Sequence, residues 1–275
     1  MHVACIFPVG ADPKKQFVIL EVLEKKAIAR NLNELGASPL ELRFPPAYYT
    51  YVPSSGSIDP SALKKGEGIL EVLRSIPDTL DYVIVCDGSG KIPYEKIVDV
   101  FSELVSNSTC VMAERDGDNK AISEIRFLIE RWEIFVLKHF FNHPKEIADG
   151  QCGLWGYYAK EMVVGDERKK IKLTAIGYDI ELDLLSEVLC KDLNYSFVHV
   201  ELPPSSGPLK TSFTFEDNLR KLDFLIKKYP KLSSCLQGYL KEYEKIAEEK
   251  IAQLSDNDKK IWIAYCDKLK EIKVV

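Results

Sequence analysis

A run of apolar residues that ends in a carboxylate is the feature of this sequence with the clearest chemical potential. Residues 81–89 read DYVIVCDGS; the apolar run is typical of a buried parallel strand, and Asp87 comes directly after it. In an open α/β sheet, ligands bind in the crevice beyond the carboxyl ends of the strands. A carboxylate at that edge can hold a divalent cation, and the cation can hold a diphosphate. The sequence therefore predicts a ligand site at Asp87.

Two later segments carry glycines or acids that could face a ligand. Residues 149–158 read DGQCGLWGYY, a glycine-rich bend that runs into a short aromatic strand. The glycines would let the backbone approach a ligand closely, and a tight turn explains them equally well. Residues 177–183 read GYDIELD, which places three acids in the first turns of a helix. Acids favour the positive end of a helix, so helix capping alone is a sufficient explanation for them.

The elements that would position these residues alternate between strands and helices. This order predicts an α/β fold with a mostly parallel sheet that is covered by helices on both faces. Besides the strand before Asp87 and the aromatic strand, the predicted strands are residues 2–7, 40–44, 110–113 and 197–202; the helices are residues 13–35, 67–74, 94–105 and 121–141. Residues 45–62, rich in Pro, Ser and Tyr, are long enough to be a binding loop.

The pattern changes after Pro203. Residues 215–229, 231–254 and 256–272 are predicted to be charged amphipathic helices, and no strand signal remains. We therefore expect two domains: residues 1–205 with the sheet, and residues 206–275 as a C-terminal helical appendage. The appendage would pack on the sheet domain or on a partner subunit, so its helices are also the expected site of homo-oligomer formation.

Composition excludes several classes of protein. A net charge of −5 without a basic stripe gives no reason to expect nucleic-acid binding. The seven cysteines are scattered and include no CxxC pair, which argues for reduced thiols in a cytoplasmic protein and against a disulfide framework or zinc site. No apolar run approaches the roughly 18 residues of a membrane span, so no transmembrane segment is expected.

Taken in order, the motifs resemble those of family-2 type glycosyltransferases with the GT-A fold, in a layout similar to that of polyprenyl-phosphate sugar transferases. The resemblance covers roughly residues 1–202. Its motifs are Phe7-Pro8 at the first strand end, KGEG at 65–68 for the GKG-x-A turn, DGS at 87–89 for D-x-D, IPY at 92–94 for h-x-P-e, MAER at 112–115 for G-S-R, DGQCGL at 149–154 for D-x-x-x-G and GYDIE at 177–181 for G-f-x-x-E. The chain departs from this pattern in two places. Ser89 replaces the second Asp of D-x-D, and no second acidic, base-binding motif is found near residues 40–44.

The resemblance implies transfer of a sugar from a GDP or UDP sugar to a hydroxyl or phosphate acceptor, assisted by Mg²⁺ or Mn²⁺. The metal would be bound by Asp87 with help from Ser89, and Lys65 or Arg115 would add positive charge at the phosphates. His199 lies in an apolar strand and is either a further metal ligand or a structural histidine. The substrate-binding residues expected from the resemblance are Pro8, Lys65, Gly66, Asp87, Ser89, Arg115 and Gly153.

An inverting transfer needs a carboxylate that takes the proton of the acceptor hydroxyl. Asp149 is the first candidate for this catalytic role, followed by Asp179 and Glu181. The sequence leaves the acceptor open. A polyprenyl phosphate fits the layout, whereas the expected absence of transmembrane helices fits a small hydroxy acid, a sugar or a protein at least as well.

Two other classes of protein compete with a glycosyltransferase. A sugar nucleotidyltransferase would carry a glycine-rich loop with Arg or Lys directly after the first strand, and residues 8–15, PVGADPKK, lack that loop. A catalytically silent relative that only binds its ligand would explain Ser89 and the missing base-binding motif.

Overall fold

The computed structural model of the chain describes residues 3–6, 65–75, 80–87, 92–93, 95–106, 108–115, 123–160, 171–177, 179–202 and 215–272. The predicted helix 13–35, the predicted strand 40–44 and the predicted loop 45–62 lie outside these residues. The described elements, in chain order, are β1 (Val3–Ile6), α1 (Lys65–Ser75), β2 (Tyr82–Cys86), α2 (Lys96–Ser106), β3 (Cys110–Arg115), α3 (Glu124–Phe140), β4 (Leu154–Tyr158), α4 (Ile180–Cys190), β5 (Tyr195–Val200), α5 (Phe215–Lys228), α6 (Leu236–Ile246), α7 (Glu248–Gln253) and α8 (Asp256–Glu271).

The chain divides into two units. The first consists of Met1–Asp116 and Gly150–Leu202, and the second of Gly117–Asp149 and Pro203–Val275. The predicted boundary at residues 205 and 206 lies close to the end of the first unit. Residues 117–149, which the predicted boundary places with the sheet, group with the C-terminal helices.

The described strands of the first unit form one sheet in the order β1-β2-β4-β3-β5. Strand β4 is antiparallel to β2 and β3, while β1 is parallel to β2 and β5 to β3. The sheet is therefore mostly parallel, and the predicted α/β fold is confirmed. Strand β4 runs against the others because the chain leaves β3 at the carboxyl edge of the sheet and re-enters β4 at the same edge.

Burial explains why β2 reads as a continuous apolar run. Val83, Ile84, Val85 and Cys86 are each at most 1% exposed, so both faces of this central strand are covered. A core cluster contains Ile84 and Cys86 together with Val100 and Phe101 of α2. The end of β2, and with it the position of Asp87, is thus fixed by packing.

In the second unit, α3 packs against the C-terminal helices. The ring of Trp132 in α3 lies 5.6 Å from that of Tyr243 in α6, and the Tyr243 hydroxyl donates a hydrogen bond to the Leu128 carbonyl at 2.9 Å. Tyr243 in turn contacts Trp262 of α8. The broad apolar face of α3 is therefore covered by helices that follow it by about a hundred residues, which explains why residues 117–149 belong to this unit.

The predicted helix 231–254 is divided into three parts. Residues Pro230–Ser234 form a 3-10 helix, and α6 and α7 follow it. The Ser233 hydroxyl donates to the Pro230 carbonyl, and the Ser234 hydroxyl to the Lys231 carbonyl, each at 2.8 Å. Such side-chain bonds compete with the α-helical ladder. Among the described residues, none of the helices combines the length and apolar character needed to span a bilayer.

Candidate functional site

Lys65, Asp87 and Glu181 meet at the carboxyl edge of the sheet, and we call them the lysine–carboxylate cluster. Lys65 is the first residue of α1, Asp87 directly follows β2, and Glu181 lies in the first turn of α4. The Lys65 Nζ atom lies 2.6 Å from Asp87 Oδ1 and also hydrogen-bonds to the carboxylate of Glu181. One ammonium group therefore bridges two carboxylates that are far apart in the sequence.

The members of the cluster differ in exposure. The side chains of Lys65 and Glu181 are 11% and 5% exposed, whereas that of Asp87 is 33% exposed. Burial alone would lower the pKa of Lys65, but the charges of Asp87 and Glu181 outweigh it and raise the pKa above its ordinary value. Burial, together with the charge of Asp87, raises the pKa of Glu181 although Lys65 opposes this. Asp87 is thus the member most open to a ligand from solvent.

Gly153 holds the backbone of Asp87 in place and leaves room for its carboxylate. The Asp87 N–H donates to the Gly153 carbonyl at 2.8 Å, and Gly153 has a φ of 86°. A Cβ atom at Gly153 would lie only 2.4 Å from Asp87 Oδ2. Glycine is required here for both reasons, since the left-handed conformation disfavours side chains and the carboxylate occupies the space that a side chain would need.

The N-terminus of α1 is fixed by the segment of residues 171–177. The Gly66 N–H donates to the Gly177 carbonyl at 3.1 Å, and the Glu67 N–H to the Ile176 carbonyl at 2.9 Å. A Cβ atom at Gly66 would lie 2.4 Å from the Ala175 carbonyl oxygen. These contacts satisfy N–H groups that would otherwise lack partners at a helix start, and they set the position of Lys65.

Acids of α4 hold that same segment. Asp183 Oδ2 accepts hydrogen bonds from the N–H groups of Thr174 at 2.6 Å and Ala175 at 2.8 Å. One helical turn further on, Glu187 Oε2 accepts from the Lys172 N–H at 2.8 Å. Asp183 and Glu187 are 0% and 5% exposed. We call these two residues the anchoring acids.

The anchoring acids are not identified as functional from the sequence. Asp183 reads as one of three acids at a helix start, a pattern that capping explains. The available signal is the spacing of Asp183 and Glu187, four residues apart on a helix whose other side chains are largely apolar. Asp179, a predicted catalytic residue, accepts a hydrogen bond from the Gly177 N–H at 2.8 Å and so also contacts the end of the segment.

The remaining predicted site residues are spread over several places. Arg115 ends β3 at the same sheet edge, with β4 between it and β2, and is 3% exposed. Asp149 is 1% exposed and directly precedes Gly150, at the end of a segment of the second unit. Pro8 and Ser89 lie outside the described residues.

His199 lies on β5, where it pairs in register with Glu114 of β3. Strands β3 and β4 separate β5 from β2, which precedes Asp87. A role of His199 as a further metal ligand stays a prediction. Among the described residues, no group of three or more His, Cys, Asp or Glu could hold a metal ion.

The comparison with solved structures finds the same architecture in a characterised enzyme. Glucosyl-3-phosphoglycerate synthase from Mycobacterium tuberculosis in complex with phosphoglyceric acid matches with a TM-score of 0.51 at 14% identity, over 82% of this chain and 79% of that chain. Its complex with Mn²⁺ and UDP-glucose gives 0.51 at 13% identity, over 82% and 78%. Its complex with UDP gives 0.52 at 14% identity, over 82% and 79%.

Neither the family models nor the curated protein sequences contain a match to this chain. At these identities the structural likeness establishes the fold. The chain has the GT-A fold, so the fold that the sequence resemblance implies is confirmed.

Proposed function

We propose that this chain is a glycosyltransferase that moves a sugar from a nucleotide-diphosphate sugar to an acceptor with the help of a divalent metal ion. The observation that carries the proposal is the partly exposed carboxylate of Asp87, which Gly153 and Lys65 hold at the carboxyl edge of the sheet. The synthase with the similar fold has been solved with Mn²⁺ and UDP-glucose, which favours a UDP sugar over a GDP sugar as the donor.

The residues present fit a Mn²⁺ or Mg²⁺ ion. Mg²⁺ in particular takes oxygen ligands and is usually held by one or two carboxylates plus substrate phosphates. Asp87 supplies such a carboxylate, and Ser89, two residues later, remains the predicted second ligand. When bound, the ion would neutralise the charge that develops on the leaving diphosphate.

The chain's own residues would act on the phosphates and on the acceptor proton. Lys65 would donate charge-assisted hydrogen bonds to phosphate oxygens, and Arg115 would add positive charge at the same sheet edge. Asp149 stays the first candidate for the base that accepts the acceptor proton, followed by Asp179 and Glu181.

We further propose that the acceptor is a small phosphate-bearing hydroxy acid. The support is that the similar synthase has been solved with phosphoglyceric acid. A buried arginine at the end of β3 also suits recognition of a phosphate or carboxylate. A polyprenyl phosphate remains the alternative acceptor.

Calorimetric titration with UDP-glucose and GDP-mannose in the presence of MnCl₂ tests the proposal. We expect one donor to bind and its nucleoside diphosphate to be released when 3-phosphoglycerate is added.

Asp87→Asn should lose metal-dependent binding, whereas Asp99→Asn, which removes a half-exposed carboxylate on α2, should bind as the unmodified chain does. Binding without release with any acceptor would favour a catalytically silent relative, and the absence of donor binding would refute the transferase.

A further inference from the structure

We propose that Lys65 is a displaceable counter-ion of the metal site, so that Asp87 takes up a divalent cation together with a diphosphate and not before it. In the donor-free protein the ammonium of Lys65 pairs with Asp87. When metal and diphosphate enter together, the ammonium exchanges Asp87 for the diphosphate. This inference rests on the proposed function, because it concerns the same carboxylate.

The two oxygens of Asp87 have different surroundings. Oδ1 lies 2.6 Å from Lys65 Nζ, and Oδ2 lies 2.4 Å from the position that a Cβ of Gly153 would take. Oδ1 is therefore paired with a cation, whereas Oδ2 lies beside a glycine that has no side chain to displace it. A metal ion that reaches Asp87 alone must compete with the ammonium for Oδ1 or bind beside it at Oδ2, and either position sets two cations against each other.

The ammonium of Lys65 supplies the positive charge that faces the two carboxylates of the cluster. Lys65 carries one positive charge against the two negative charges of Asp87 and Glu181, and the side chains of Lys65 and Glu181 are largely buried. Removing this cation without replacing it would leave the buried carboxylate of Glu181 uncompensated, which is strongly unfavourable. The ammonium therefore stabilises the site while no ligand is bound.

After it leaves Asp87, the ammonium of Lys65 can turn to a phosphate. Lysine has a flexible four-carbon side chain and three donors, so it can turn from a carboxylate to a phosphate oxygen without movement of the backbone. Glu181 also contacts Lys65 and is 5% exposed, which keeps the ammonium at the sheet edge. A diphosphate compensates the displaced ammonium, so cation binding and diphosphate binding are positively coupled.

The test measures binding of MnCl₂ alone, and then of MnCl₂ with UDP, to the unmodified chain and to Lys65→Gln. Without nucleotide we expect Mn²⁺ to bind Lys65→Gln about tenfold more tightly than the unmodified chain, within the range typical of coupled sites. With UDP present, this advantage should disappear or reverse. Lys96→Gln is the matched control, because it removes a lysine that is ion-paired to Asp99 within one helix. Lys65→Arg keeps the charge and should bind Mn²⁺ alone as weakly as the unmodified chain.

The inference would be overturned if, in the absence of nucleotide, Lys65→Gln bound Mn²⁺ no more tightly than the unmodified chain does. If Lys65→Gln does not fold, the unmodified chain decides: equally tight Mn²⁺ binding with and without UDP would overturn it. A failure of the proposed function gives a different result. In that case neither UDP nor GDP binds any of the variants. The affinities of the unmodified chain and of Lys65→Gln for Mn²⁺ alone still show whether Lys65 competes with the metal ion for Asp87.

Discussion

Gly153 shows at the residue scale how one backbone conformation shapes the candidate site. Its φ of 86° turns the chain into β4 and brings its carbonyl to the Asp87 N–H. The same turn leaves the space beside the Asp87 carboxylate without a side chain. The sequence motif suggested close backbone approach to a ligand, and the structure shows close approach to the side chain that would hold the ligand.

We expect Gly153→Ala to weaken both stability and Mn²⁺-dependent nucleotide binding. The left-handed conformation costs a residue with a side chain about 1–2 kcal/mol, and the new methyl group would also push Asp87 away. Gly238→Ala is the control, because Gly238 lies in α6 with no atom within 4 Å of an added Cβ. That change should stabilise the chain by about 1 kcal/mol. Urea denaturation and calorimetry measure the two effects. Full nucleotide affinity in Gly153→Ala would contradict the positioning role of the glycine.

At the scale of elements, the sequence predicts those parts of the site that a local pattern of residues encodes. Strand β2 and the position of Asp87 follow from an apolar run, and the start of α4 follows from Gly177 and the acids after it. The contact of Lys65 with Glu181 joins residues 116 positions apart, and no local periodicity encodes it. Residues 171–177 alternate buried and exposed side chains as a strand does, yet they belong to no described strand. The N–H groups of Lys172, Thr174 and Ala175 bond to side chains of α4 instead of to a backbone ladder.

We expect Asp183→Asn to lower the free energy of unfolding by about 2–3 kcal/mol. The change removes the charge from two hydrogen bonds in a fully buried place. Because the segment that Asp183 holds also contacts the start of α1, the affinity for the nucleotide should fall as well. Asp223→Asn, at an exposed carboxylate of α5, is the control and should change neither quantity. Loss of stability with unchanged nucleotide affinity would show that the anchoring acids support the fold without positioning Lys65.

At the scale of the whole molecule, the cysteines report on the folded state. All seven are free thiols; Cys190 is exposed, Cys235 is partly exposed, and the other five are buried. Burial raises the pKa of Cys5 to about 12, so its reactive thiolate is scarce at neutral pH. We expect Ellman's reagent at pH 8 to modify two thiols quickly in the native protein and all seven in denaturant. Rapid modification of more than two native thiols would contradict the described core.

The sequence could not reveal which helices make up the second unit. Helix α3 has a broad apolar face, and its pattern is equally compatible with packing on the sheet or on other helices. Its partners are separated from it by the whole segment 150–202, so only the folded structure identifies them. Self-association through the C-terminal helices stays a prediction.

A buried ion pair tests whether α3 and the C-terminal helices form one cooperative unit. Lys221 of α5 lies 3.4 Å from Glu133 of α3, and their side chains are 3% and 0% exposed. Lys221→Met should destabilise the protein by about 3–5 kcal/mol, because it removes a buried cation from the carboxylate of Glu133. Lys227→Met on the same helix removes a lysine that is 73% exposed and should have little effect.

The double variant Lys221→Met, Glu133→Gln should recover most of that loss, since neither partner is then charged. Urea denaturation gives the stabilities, and hydrogen exchange should show the loss of protection in α3 and α5 together. Equal stability of Lys221→Met and Lys227→Met, or a loss of protection confined to α5, would contradict the grouping of residues 117–149 with the C-terminal helices. The pairing of Lys221 with Glu133 would then be a local contact without a role in holding the unit together.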